Sequence, residues 1–380
     1  MPQRVQALNL FAFSLLLRYH TRRLVSTSTP PADRAWADID LAALAANART
    51  VAAVSGARLL PMVKADGYGL GAVPVVEALE PLDPWGYGVA TVEEGATLRS
   101  AGIRRPIVIF TPMQRDEVDP CRAHGLRPVI ADVDGLEAWT SGTDQPFHVE
   151  IDTGMGRSGF RWDDAEALER LGNVAKRPSF EGVFTHFHSG HDPDACGRQW
   201  SRFEAVLGRL PQRPSLVHAA NSAAAMQGTR FAGDLVRPGI FLYGGAVPGH
   251  VPEVVVKLRA RVVAVRRVDA GDTVSYDAAW TAPQPVTVAT LALGYADGLP
   301  RSLSGRGTVE IDGRIVPIVG RVTMDMTMVA APGSLHLGDV ATVFGGLVSL
   351  DRQAVAAGTI AYELLTGLGD RVQRRYGGTT

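Results

Sequence analysis

Leu59-Leu60-Pro61-Met62-Val63-Lys64-Ala65-Asp66-Gly67-Tyr68-Gly69-Leu70-Gly71 carries an apolar run into a lysine, and the lysine into three glycines within five positions. A segment of helical composition, 72–80, follows. The outline is a strand, a tight turn and a helix. A lysine at the C-terminal end of a buried strand is partly desolvated, and burial disfavours the ammonium form. A carbonyl-binding amine requires that environment. On these residues alone, a solvent-facing lysine on a βα turn fits as well as a reactive one.

The same unit repeats along the chain. Residues 35–39 are strand-like, and 41–54 are alanine-rich with a helical period. Eight β-rich runs then succeed one another at 59–64, 86–90, 106–110, 127–131, 147–151, 181–186, 215–218 and 235–242. Segments of helical composition lie between them, among them 92–101, 163–174, 197–210 and 222–227. Eight alternating units predict an α/β domain closed as a (β/α)8 barrel of the TIM type. Pro61 is awkward inside a central strand and is expected at its start. An open doubly wound sheet would need a phosphate-binding glycine turn, which Gly67-Tyr68-Gly69 imitates only weakly. Beyond 255 the rhythm changes. Runs 258–268, 286–293, 308–311, 315–319 and 340–344 are joined by turn residues, and no helical stretch appears until 351–365. This predicts a second, mostly antiparallel β domain. The division is an N-terminal extension, 1–34, disordered or targeting-like, a barrel, 35–255, and a β domain, 256–380.

With 46% hydrophobic and 20% charged residues the composition is that of a globular protein. A net charge of -1 gives no electrostatic case for nucleic acid or an anionic membrane. Cys121 and Cys196 make neither a disulfide framework nor a CxxC pair, so a reducing compartment, the cytoplasm, is expected. Residues 1–32 hold four arginines, no acid and a short apolar run at 8–17. That run is too short to span a membrane.

Polar and glycine-rich clusters fall just after the β runs, where barrel enzymes place their sites. Lys64 follows the first, Asp152–Arg157 the fifth and Asn221-Ser222 the seventh. His186 closes the sixth, and Arg237-Pro238-Gly239-Ile240 lies in the eighth. Ser222 and the backbone of Gly239 and Ile240 are donors able to hold a phosphate.

These motifs resemble the alanine racemases, fold-type III pyridoxal-phosphate enzymes, over 35–376. The likeness runs through Val63–Gly69, Asp152–Arg157, His218–Ala223, Val236–Ile240, Val274-Ser275-Tyr276, Gly294–Gly298, Gly320–Asp325 and Arg371–Tyr376. It implies that Lys64 holds pyridoxal 5'-phosphate covalently and serves as one base, with Tyr276 as the other. Tyr276 would come from a partner chain, making a homodimer with composite sites. Arg237 would face the pyridine nitrogen, with His186 beside it. Tyr68, Ser222, Gly239, Ile240 and Tyr376 would hold the phosphate. Arg157 and Met324 would bind the substrate carboxylate, and Tyr295 would line the entrance, with Asp325 in support. The implied reaction interconverts L- and D-alanine, supplying D-alanine for peptidoglycan.

Two departures from the family pattern bear on this. Glu150 stands where many members have a lysine, carbamylated to pair with the arginine seven positions on, so a Glu150–Arg157 pair is expected in its place. His188-Ser189-Gly190-His191-Asp192, with Cys196 nearby, suggests an altered loop at the pocket mouth; its spacing fits no standard zinc pattern, and no metal is expected. A serine-directed or broad-specificity racemase is the nearest alternative. A metal-assisted D-threonine aldolase and a non-catalytic homeostasis protein that binds pyridoxal phosphate stand further off.

Overall fold

The computed structural model describes residues 33–377, apart from 332 and 334. The leader expected over 1–32 lies outside the described residues. Arg34, assigned by sequence to the extension, is bound into the fold: its guanidinium reaches Asp297 at 3.4 Å and donates to Asp325 O at 2.7 Å.

Ala35–Asp40 (β1) opens the described chain. Arg58–Leu59 (β2), Tyr87–Val89 (β3), Ile107–Pro112 (β4), Arg127–Ile130 (β5) and Phe147–Asp152 (β6) follow. After Phe160–Arg161 (β7), which pairs only with β6, come Phe180–Phe184 (β8), Leu216–Asn221 (β9) and Leu235–Arg237 (β10). Eight of these run in the order β2-β10-β9-β8-β6-β5-β4-β3, every neighbour parallel. A parallel bridge between Met62 and Gly88 closes the circuit into the expected barrel. Pro61 lies within the first run rather than at its start. It has no N–H to donate, which cuts the regular ladder short after Leu59. Leu60 N still donates to Val236 O and Met62 N to Pro238 O, so the run continues to Lys64.

The second sheet is built on Val256–Val268 (β11), a 13-residue strand. Thr273–Val274 (β12) and Trp280–Thr281 (β13) form a separate ribbon whose turn carries Tyr276. Val286–Leu291 (β14), Thr308–Ile311 (β15), Arg314–Val319 (β16), Thr327–Ala331 (β17) and Val340–Phe344 (β18) then complete a circuit with β11. The order is β14-β17-β16-β15-β18-β11, and β11 pairs back to β14, all antiparallel. On the remaining edge of β11 lie β1, antiparallel, and Gln373–Gly377 (β19), parallel to β1. Strand pairing therefore crosses the sequence division at 255, because the first described strand belongs to the sheet of the later half.

The helices follow the composition closely, with two differences: the expected 351–365 is two helices, Leu350–Ala357 and Ala361–Thr366, parted where Gly358 turns left-handed at φ 72°, and one start is shifted. The expected 197–210 begins earlier, as Pro193–Leu207, because Asp192 caps its first N–H groups and Pro193 takes the first position. No helix among the described residues is long and apolar enough to cross a membrane.

Strand alternation decides what faces the barrel axis. Leu60, Val108, Val129, Phe184, Leu216 and Leu235, from six different runs, pack into one buried cluster. Two residues further along their strands, Leu216 is succeeded by His218 and Leu235 by Arg237, both buried. The interior thus turns from apolar to polar toward the C-terminal mouth. Asn47, on helix Leu41–Ser55, ties the barrel to the connection leading into β11: it donates to Leu242 O and Glu253 O, and accepts from Glu253 N at 2.8 Å. Asn47→Leu should leave these buried groups unpaired and lower the unfolding free energy by about 1–3 kcal/mol. A urea titration checks this, and an unchanged midpoint would show that the staple contributes nothing.

Candidate active site

Lys64 ends the first barrel run, and the backbone then makes a left-handed turn. Ala65, Asp66 and Gly67 sit at φ 52, 51 and 62°, with Tyr68 at 56°. For residues with a Cβ that conformation costs about 1–2 kcal/mol each, so the surroundings must impose it. Glu94 accepts from Ala65 N at 2.6 Å and from Ala90 N at 2.7 Å. Asp66 accepts from Ala72 N at 2.8 Å. From β19, Arg374 donates to Gly69 O and the Tyr376 hydroxyl to Leu70 O, both at 3.0 Å. The turn swings Tyr68 inward, where its ring stacks on Tyr243 at 4.4 Å between centroids.

A cavity opens there, lined by Met62, Lys64, Tyr68, Phe110, Arg157, His186, Asn221, Ser222, Arg237, Gly239 and Tyr362. Larger hollows elsewhere, one along β1 and β19 and one beside Tyr276, contain neither Lys64 nor the other polar residues gathered here. Burial lowers the Lys64 pKa, and the charges of Arg157 and Arg237 lower it further, against a raising effect from Glu94. Arg237 is 3% exposed. Its Nη2 lies 3.0 Å from both Thr185 O and Ala219 O and 3.2 Å from His186 Nδ1, and its Nη1 lies 2.8 Å from His218 Nδ1. Burial pulls its pKa down to about 9, which leaves it protonated at neutral pH. The same burial, with Arg237 next to it, brings His186 to about 3, so that ring is neutral.

Ser222 caps the opposite wall. Its Oγ accepts from Gly239 N at 2.8 Å and Phe241 N at 3.4 Å, which leaves the hydroxyl hydrogen to donate. A Cβ on Gly239 would meet the Tyr68 hydroxyl at 2.2 Å, so the two can approach only with glycine there. Behind the cavity Glu150, 2% exposed, lies 3.4 Å from Arg157 Nη2 and accepts from Ser158 Oγ at 2.5 Å.

The fold thus gathers Lys64, Tyr68, Arg157, His186, Ser222, Arg237 and Gly239 at one mouth, with Ile240 buried beside them. It does not bring Tyr276, Tyr295 or Met324 to the cavity; they are 70%, 43% and 53% exposed on the β domain. Tyr376 is a correction. Its hydroxyl is spent on the Leu70 carbonyl and it lines a different hollow. The tyrosine that reaches the cavity from the second domain is Tyr362, 5.9 Å from Tyr68 between ring centroids. It opens a short helix, Ala361–Thr366, and nothing local in the sequence separates it from a core aromatic. The His188–Asp192 loop is also absent from the lining. Asp192 is a helix cap, Cys196 is buried with its thiol pushed up to about 11, and no metal-holding cluster occurs among the described residues.

Residues 39–247 match the family described as alanine racemase, N-terminal domain, and residues 255–376 match alanine racemase, C-terminal domain. The chain belongs to the alanine racemase family. An alanine racemase of Deinococcus radiodurans is 41% identical over 359 residues, covering 90% of this chain and 99% of its own. One from Symbiobacterium thermophilum is 38% identical, covering 91% and 97%. Among solved structures, alanine racemase from Bartonella henselae with covalently bound pyridoxal phosphate superposes with a TM-score of 0.83 at 33% identity, covering 91% of this chain and all of the other. The alanine racemase from Streptomyces coelicolor also gives 0.83 at 33% identity, covering 91% and 98%.

Three rings at this mouth and behind it, the buried His148 and His218 and the half-buried His186, have pKa values lowered from the ordinary 6.5, burial being the largest cause in each. Each is neutral in the fold and takes up a proton when unfolded below that pH. The unfolded state then binds more protons, so stability falls as pH drops below about 6.5. Urea midpoints measured between about pH 7 and pH 5 should decrease progressively; constant midpoints would contradict neutral buried rings.

Proposed function

We propose that this chain is an isomerase that interconverts L-alanine and D-alanine with pyridoxal 5'-phosphate. The observation that carries the proposal is the desolvated amine of Lys64 sharing one cavity with the buried guanidinium of Arg237. The donor set suits the cofactor: an amine of lowered pKa for its aldehyde, hydroxyl and N–H groups for its phosphate, and a guanidinium for its ring nitrogen. Bound there, the cofactor supplies an electron-withdrawing ring that acidifies the Cα proton of an attached amino acid.

Tyr68, Ser222 and the N–H of Ile240 hold the phosphate, with Tyr362 in the place first given to Tyr376; Gly239, whose N–H goes to Ser222 Oγ, positions that hydroxyl. Arg237 can donate but not accept, so it faces a ring nitrogen that stays unprotonated. That restrains the ring's pull on electrons and favours simple proton return over side reactions. Arg157 binds the substrate carboxylate, joined by the backbone of Met324. Lys64 moves a proton on one face of Cα.

Racemisation needs a second base on the opposite face, and Tyr276 supplies it from a partner chain. Tyr276, Tyr295, Met324 and Met326 are all large apolar side chains left exposed on the β domain, which supports a face covered by a second copy. The homodimer has composite sites and works in the cytoplasm, supplying D-alanine for peptidoglycan.

The purified protein should show the absorbance of covalently bound pyridoxal phosphate, and chiral analysis of an L-alanine incubation should show D-alanine. A colourless protein unable to take up the cofactor sinks the proposal. Mixing Lys64→Ala with Tyr276→Phe subunits should restore activity that neither variant has alone, since one site of each mixed dimer is intact. No recovery after verified subunit exchange would count against composite sites. Glu150 orients Arg157 as an unmodified carboxylate, so Glu150→Gln should raise KM for alanine more than it lowers kcat; unchanged kinetics would exclude that role.

A further inference from the structure

Arg237 faces the cavity on one side and a line of buried polar groups on the other. His218 Nδ1 is 2.8 Å from Arg237 Nη1, and His218 Nε2 is 2.9 Å from His148 Nδ1. His148 Nε2 is 3.3 Å from Glu181 Oε2, and Glu181 is gripped by Arg127 at 2.5 and 3.3 Å. Both imidazoles are fully buried. The line is built into the barrel. The His218 ring stacks on Phe184 at 5.0 Å, and the Arg237 guanidinium covers the same phenyl ring at 4.9 Å. Gly182, on β8, leaves the space that His148 fills, since a Cβ there would come within 2.5 Å of its ring. Arg127 opens β5 and Glu181 is the second residue of β8, so the line ends at the N-terminal mouth, opposite the cavity.

The two ends fix every proton between them. A guanidinium only donates, so His218 Nδ1 must be the acceptor and His218 carries its hydrogen on Nε2. That hydrogen goes to His148 Nδ1, which leaves the His148 hydrogen on Nε2. A carboxylate only accepts, so this last hydrogen goes to Glu181. The alternative arrangement, with both hydrogens on Nδ1, would set N–H against N–H at Arg237 and leave Glu181 facing a lone pair. We propose that Glu181, held by Arg127, is a remote positioning residue: through His148 and His218 it fixes the tautomer that receives Arg237, and so holds that guanidinium oriented toward the cofactor ring. The line is not a proton conduit, because Arg237 has no lone pair with which to take a proton up. This inference rests on the reading of Arg237 as the partner of the ring nitrogen.

The wild-type holoenzyme tests the tautomers directly. With histidine selectively labelled with 15N, the rings of His148 and His218, assigned by His148→Gln and His218→Gln, should each carry hydrogen on Nε2 and none on Nδ1. A hydrogen on Nδ1 of either ring overturns the proposal, whatever the variants do. Glu181→Leu removes the acceptor, and should shift the absorbance of the bound cofactor and weaken its retention while lowering kcat by about tenfold with little change in KM. Glu181→Gln, which keeps an oxygen for His148, should recover most of this. A Glu181→Leu protein with wild-type absorbance, cofactor retention and kcat also overturns the proposal. Arg237→Ala separates the two levels. If it too leaves cofactor absorbance and retention unchanged, the reading of Arg237 falls; if it alters them while Glu181→Leu does not, only the relay falls.

Discussion

The left-handed turn after Lys64 is the constraint on which the site depends. Three residues with a Cβ, Ala65, Asp66 and Tyr68, occupy a conformation that free chains avoid. Local bonds such as that from Ala72 N to Asp66 contribute, and distant ones secure them. Glu94 ties the turn to the next barrel strand, and Arg374 and Tyr376 tie it to the opposite end of the sequence. In return, the turn does two things an ordinary βα loop cannot. It ends the strand abruptly, so that Lys64 stands at the rim half-desolvated, and it brings Tyr68 back over the cavity four residues later. Strain of this kind persists only where the surroundings over-determine the backbone, and it gathers at functional sites.

Electrostatics supplies the second constraint. Lys64, Arg157 and Arg237 stand around one cavity; the charges of Arg157 and Arg237 disfavour the Lys64 ammonium, and that of Arg157 disfavours the Arg237 cation. The amine is the group whose pKa falls from the ordinary lysine value, burial being the largest cause; the guanidinium beside it keeps its charge at neutral pH. The carboxylates that offset the cations, Glu94 and Glu150, stand outside the cavity rather than in its lining. The cavity itself is left to donors, and an anionic ligand would meet no carboxylate there.

Much of this was legible in the sequence, and what was not has a common cause. The eight βα units were readable because strand and helix periods are local. Lys64, Arg237, Ser222 and Glu150 were readable because each follows or lies in a β run whose end is the barrel mouth. The partners in space were not. Nothing near β1 says that it pairs with β11 and β19, since register across more than two hundred residues is settled by packing. Tyr362 and Tyr376 both lie in the final segment of the chain, and only the fold decides which of them reaches the cavity. Ala65 and Asp66 carry no mark of positive φ; the neighbouring glycines announced a turn but not its hand. The shifted start of Pro193–Leu207 is different, because Asp192-Pro193 is a local signal that was there to be read.

The contacts from β19 to the turn also carry a temporal meaning. Gly69 and Leu70 are held by residues 305 and 306 positions later. A chain emerging from the ribosome can pair β3 through β10 with neighbours close in sequence, while β2 waits for β10. It cannot fasten the lysine turn until its last residues are free. Barrel closure and completion of the lysine site are therefore separate events in the life of the molecule. The turn that carries Lys64 takes its final shape only when Arg374 and Tyr376 reach Gly69 and Leu70.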